Sequence, residues 1–161
     1  MTFRLRITIA AVIVPVLACS TILSAQQFVE EQLTRFPQPA VLDYSNQLTI
    51  GDLDGDTDLD IVWANGGNFS SVGAAQIARI YINNGVGVFT AESGARGAAS
   101  GNFRGVELGD IDNDGDLDMI LAEDFNRLPN LLVNNGSGVF TDQSASQLPA
   151  LTLSCTRAEF G

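Results

Sequence analysis

The chain has 161 residues, enough for about one domain. It carries 19 acidic side chains against 8 basic ones, a formal net charge of −11, with no lysine and no histidine. That balance excludes a basic nucleic-acid surface, and it removes imidazole bases, imidazole metal ligands and lysine nucleophiles.

Residues 1–25 read as a secretory signal peptide. Arg4 and Arg6 open it, Ile7 to Leu23 is mostly apolar, and Leu23-Ser24-Ala25 offers a cleavage site before Gln26. Pro15 and the small residues at its end favour a signal over a spanning anchor. A lipoprotein signal with anchoring at Cys19 is the further alternative, although Leu17 fits it poorly. Removing this segment leaves six arginines against all 19 acids, a net of −13. Ten of the acids fall in two short stretches, so the negative charge is concentrated there and does not form an even solvating coat. Cys155 alone would survive cleavage, which permits no intrachain disulfide, and it is expected to be a buried apolar thiol.

From residue 26 on, Phe28 to Phe36 is ambiguous between strand and short helix, and Pro37-Gln38-Pro39 forms a turn. Leu48-Thr49-Ile50 suggests a strand. It leads into Gly51-Asp-Leu-Asp-Gly-Asp-Thr-Asp-Leu-Asp60, with carboxylates at 52, 54, 56, 58 and 60. Strands are expected at 59–64, 78–82 and from Val88, the last two joined by the Asn83-Asn84-Gly85-Val86-Gly87 turn. The order then repeats. A second loop, Gly109 to Asp118, is followed by apolar runs at 117–122 and 131–133, then Asn134-Asn135-Gly136-Ser137-Gly138 and Val139-Phe140-Thr141.

The Asp loops start 58 residues apart and the Asn-Asn-Gly turns 51 apart, which places a longer Gly/Ser loop at 66–76 in the first copy. A repeat of roughly 50–60 residues with about four short strands is the size of a propeller blade. Ala158-Glu159-Phe160-Gly161 matches Val106-Glu107-Leu108-Gly109, so Gly161 stands where a third loop would open. The expected fold is all-β: a partial β-propeller of two four-stranded blades with flanking strands, spanning 26–161 and forming a fragment of a larger ring.

Carboxylates this crowded repel unless protonated or bridged by a cation. With position 1 at Asp52 or Asp110, side chains at positions 1, 3, 5 and 9 and a backbone carbonyl at position 7 can wrap one ion. That selects Asp52, Asp54, Asp56 and Asp60 with the Asp58 carbonyl, and Asp110, Asp112, Asp114 and Asp118 with the Asp116 carbonyl. An all-oxygen set suits Ca²⁺ better than the more rigid Mg²⁺. An EF-hand is excluded, because position 12 holds Trp63 and Leu121 where it needs a bidentate Glu. Position 6 is Thr57 in the first loop and Gly115 in the second; if a positive φ is required there, the second site is the stronger.

The doubled Asp loop with its companion Asn-Asn-Gly-x-Gly-Val-Phe-Thr segment resembles the FG-GAP/VCBS repeat family, over about residues 44–161. The resemblance implies seven-bladed propellers related to the integrin α-subunit head. It also implies Ca²⁺ held by the ten named Asp residues in a hairpin between consecutive strands, and export or surface display. Roles in adhesion or ligand binding follow, sometimes beside an enzyme domain; Thr57 departs from the usual Gly. The leading expectation is a secreted, non-enzymatic Ca²⁺-binding propeller segment that needs further blades, with a protein or glycan ligand, no nucleic acid and no membrane span after cleavage. Part of an extracellular propeller enzyme (a hydrolase or lyase) and a truncated product without independent function are the alternatives. Trp63, Tyr81, Phe89 and Phe140 are expected in the core, not as a sugar platform. Asn68 and Asn135 head glycosylation sequons.

Overall fold

Short β-branched and aromatic runs, bounded by Asp-rich and Asn-Gly turns, fold as antiparallel meanders. The computed structural model describes residues 32–37, 43–67, 70–150 and 154–160, all within a unit spanning Glu31–Gly161. The expected signal segment 1–25, the Asn68 sequon and Gly161 lie outside the described residues.

A single helical turn, α1 (Gln32–Arg35), precedes the strands. The first sheet is β1 (Ser45–Gly51), β2 (Asp60–Asn65), β4 (Arg79–Asn83) and β5 (Phe89–Ala91), paired in chain order. The second is β7 (Phe103–Gly109), β8 (Asp118–Glu123), β9 (Asn130–Asn134) and β10 (Phe140–Asp142), in the same arrangement. Two short strands, β3 (Gln76–Ile77) and β6 (Ser100–Gly101), pair with each other. A helical turn, α2 (Ser144–Gln147), follows β10. The described chain is thus nearly all-β, with two four-stranded antiparallel sheets consistent with a partial propeller. The sequence did not signal β3, β6, β7 or α2: β3 and β6 have two residues each, and β7 contains Gly105 and Arg104 within its run.

The two sheets share one core. Val62, Ala64, Ile80 and Ile82 of the first meet Phe103, Val106, Met119, Leu121, Leu132 and Phe140 of the second. Strands β1 and β2 pack along β7. Gly51 sits tightly at this seam: a Cβ there would lie 2.7 Å from Leu117 Cδ1 and 2.9 Å from Leu108 Cδ1, so those side chains would have to shift. Gly109 is its counterpart, facing the ring of Phe160, the residue that the sequence match aligns with Leu108. Residues 154–160 form no strand, but Thr156, Arg157 and Phe160 lie against Gly105 and Gly109 of β7, and Cys155 N–H donates to Glu123 O at the end of β8 at 3.2 Å. Cys155 is half-buried and free, not the fully buried thiol expected, because its segment lies at the edge of this packing.

Of the aromatic residues expected in the core, Phe140 lies there, whereas Trp63, Tyr81 and Phe89 form a separate cluster in which Tyr81 is buried and Trp63 and Phe89 are half-buried. Phe36 covers this cluster, at centroid distances of 6.0, 5.1 and 4.7 Å from Trp63, Tyr81 and Phe89. Asn135 sits in the β9–β10 turn, where its Oδ1 accepts the N–H groups of Ser137 and Val139.

Candidate metal centres

Each Asp loop closes the hairpin between the first two strands of its sheet. Gly51 pairs with Asp60 and Gly109 with Asp118, so the ninth-position Asp is the first residue of the following strand. Both side chains are fully buried. Burial of a carboxylate demands hydrogen-bond donors, and the backbone supplies two. Asp60 Oδ2 accepts Leu53 N–H at 2.9 Å and Oδ1 accepts Asn83 N–H at 2.8 Å. Asp118 does the same with Ile111 N–H at 2.9 Å and Asn134 N–H at 2.8 Å. Each therefore ties the start of its loop to the end of the third strand of its sheet.

The first-position Asp organises the loop interior. Asp52 accepts the N–H groups of Gly55 and Thr57, and Asp110 those of Asp114 and Gly115. These turns require left-handed backbone at positions 4 and 6. Gly55 and Thr57 have φ of 78° and 76°, and Asn113 and Gly115 have 62° and 96°. The copies thus place their glycine at different left-handed positions. Asn tolerates that region through its short polar side chain, whereas β-branched Thr does not. Thr57→Gly should accordingly raise cation-free stability by about 1 kcal/mol, read as a higher urea midpoint in chelator.

Asp52, Asp54 and Asp60 bring one carboxylate oxygen each to within 4.8 Å of one another, and so do Asp110, Asp112 and Asp118. Either trio can hold a metal ion. Asp54 Oδ1 is buried with no hydrogen-bond partner, an orphaned oxygen that a cation would satisfy. The remaining acids are placed differently. Asp56 and Asp114 accept the N–H two residues on. Asp58 and Asp116 turn their carboxylates to the Asn-Gly turns, against Gly85 and Gly136, where a Cβ would fall 2.5 Å from a carboxylate oxygen.

The first loop also touches the second sheet. Arg96 donates to Asp54 Oδ2 at 3.2 Å, to Glu92 at 2.8 Å and to Ser137 O in the β9–β10 turn. Arg35 donates to Val86 O, the matching turn carbonyl of the first sheet, at 2.6 Å. The two arginines occupy equivalent places, a repeat element invisible in the sequence because they precede their turns by 41 and 51 residues.

Crowding and burial raise several of these carboxyls above the 3.8 of a free Asp. Asp60 is raised by desolvation and by the charges of Asp54 and Asp56, against the pull of its two N–H donors. Asp112 is raised by lost hydration, then by Asp114 and Asp118; Asp116 by lost hydration, then by Asp114, Asp110 and Asp118. A carboxyl raised on folding binds protons more tightly in the folded state, so cation-free stability falls as pH rises from 3.8 through the folded values. Asp124, lowered by Phe125 N–H and by Arg104, loses its contribution only below 3.8 and stays outside this window. The urea midpoint in chelator should therefore fall as pH rises above 3.8, until these carboxyls are fully ionised in the folded state. Saturating Ca²⁺ should reverse that order, since protons compete with the ion.

The family model described as FG-GAP-like repeat matches residues 52–121, from the first residue of the first loop to within β8. This segment carries the FG-GAP-like repeat, the family that the doubled motif resembles. Such repeats are typically non-enzymatic structural units and are usually extracellular. No curated protein and no solved structure matches the chain significantly. Among the described residues, no helix is long and apolar enough to cross a membrane.

Proposed function

We propose that both Asp loops are Ca²⁺ sites that brace the hairpins of an exported, non-enzymatic propeller whose ring presents loops to a protein or glycan ligand. The observation that carries this is the doubled carboxylate trio, built in the same register on two sheets and anchored each time by a buried Asp with two backbone donors. Asp56 and Asp114, with the carbonyls of Asp58 and Asp116, would complete an oxygen shell of the size Ca²⁺ takes. The second site is the stronger, because Gly115 adopts without strain the backbone that Thr57 resists.

Further blades are part of this reading. Val106, Leu108 and Leu117 of the second sheet are packed at the seam with the first. Their counterparts Leu48, Ile50 and Leu59 are each more than half exposed. An apolar face that one copy buries against its neighbour is the face a preceding blade would cover. Export through the 1–25 segment fits the oxygen-only sites, since extracellular Ca²⁺ is plentiful. Calorimetric titration of the chain with Ca²⁺ should show binding that weakens on Asp114→Ala or Asp118→Ala; no binding at millimolar Ca²⁺ would overturn the proposal.

A further inference from the structure

Asn134 is almost fully buried between the two loops and bonds to both. Its backbone N–H donates to Asp118 Oδ1 at 2.8 Å. Its side-chain amide donates to Leu117 O at 3.1 Å and, across the seam, to Leu53 O at 2.8 Å. The two carbonyl acceptors fix which end of the amide is the donor. Leu53 is itself buried, and its own N–H donates to Asp60 Oδ2. An unbroken run of short contacts thus joins Asp118 of the second trio to Asp60 of the first, through one side chain. Asn83, the equivalent residue in the first sheet, makes the matching backbone bond to Asp60 and donates to Leu59 O at 3.3 Å, within its own repeat. Arg96 also spans this seam, from Asp54 to the carbonyl of Ser137, but Ser137 belongs to the β9–β10 turn and not to the second trio.

We infer that the two loops bind Ca²⁺ cooperatively, with Asn134 as the positioning residue that couples them. An ion held by Asp118 fixes the Asn134 backbone, which sets the amide against Leu53 O. That in turn holds Leu53 N–H on Asp60 and keeps the first trio in its binding geometry. Ordering done by the first ion need not be repeated for the second, which is the physical source of positive coupling. Coupling of this kind presupposes the Ca²⁺ reading above, and by reciprocity each loop must strengthen the other by the same factor.

The test is a cycle of Ca²⁺ titrations on the full chain. Asp112→Asn disables the second loop and leaves the Asn134 contacts in place; Asp52→Asn disables the first. The overall two-ion constant of the unaltered chain should exceed the product of the two single-loop constants by about fivefold or more. In an Asn134→Ala background the excess should vanish. Asn134→Ser, too short to reach Leu53 O, serves that arm if Asn134→Ala does not fold by circular dichroism in chelator. An overall constant equal to the product in the unaltered chain overturns the coupling and leaves two independent Ca²⁺ sites standing. An excess that survives at Asn134→Ala overturns the role of Asn134. Absence of Ca²⁺ binding in the unaltered chain overturns the Ca²⁺ reading itself and the coupling with it.

Discussion

Saturating Ca²⁺ should raise the thermal midpoint of this chain by on the order of 10 °C, because both loops lie inside the folding unit. An ion that binds only the folded state at a hundred times its dissociation constant contributes about 2.7 kcal/mol, so two such sites contribute about 5 kcal/mol. For a domain of this size each kcal/mol moves the midpoint by a few degrees. The unfolded chain offers no preformed oxygen cage, so little of that gain is lost to binding there. Part of the gain is relief. Without an ion each trio holds its carboxylates within 4.8 Å of one another, and Asp54 Oδ1 is buried without a donor. Mg²⁺ should give a clearly smaller shift at equal concentration, because it resists exchanging its waters for a flexible set of carboxylates. Scanning calorimetry in chelator, Mg²⁺ and Ca²⁺ reads all three; equal midpoints throughout would mean that the loops hold no ion.

Asp118→Ala should be the most damaging single substitution in the second loop, as Asp60→Ala should be in the first, and it should damage the protein even in chelator. The carboxylate is fully buried and accepts Ile111 N–H and Asn134 N–H. Its removal orphans both donors, at a cost of about 1–3 kcal/mol each where they stay buried. Asp118→Asn keeps one acceptor oxygen and should cost less in chelator while losing most of the Ca²⁺ response. Asp112→Ala is the contrast. That side chain is exposed and anchors no strand, so chelator stability should hold or rise slightly as crowding is relieved, while Ca²⁺ affinity falls. Urea midpoints of the three variants with and without Ca²⁺ separate the anchoring role from the ligand role. Equal chelator midpoints for Asp118→Ala and Asp112→Ala would refute it.

Much of this was legible in the residues, and the remainder was hidden for identifiable reasons. Alternation of Asp with apolar and small residues located both loops, and the repeated Asn-Asn-Gly turn gave the strand order of each sheet. The left-handed backbone at position 6 was also accessible, because Thr57 and Gly115 differ there. Position 4 was not, since Gly55 and Asn113 both tolerate that conformation and neither signals it alone. The ninth-position Asp was readable as a metal ligand but not as the residue that fastens loop to third strand. Its donors are backbone N–H groups, which every sequence possesses. The one available hint was that Asn83 and Asn134 head the same motif in both copies. Contacts across the seam were the least visible. Arg96 to Asp54 and Asn134 to Leu53 span 42 and 81 residues, and they depend on how one sheet is set against the other, which local pattern does not encode.

Anomalous scattering from crystals grown in Ca²⁺ tests the central claim most directly. Two peaks are expected, one among Asp52, Asp54 and Asp60 and one among Asp110, Asp112 and Asp118, each with carboxylate oxygens at about 2.3–2.6 Å. Density of water height at both positions in millimolar Ca²⁺, or ions bound only elsewhere on the surface, would contradict it.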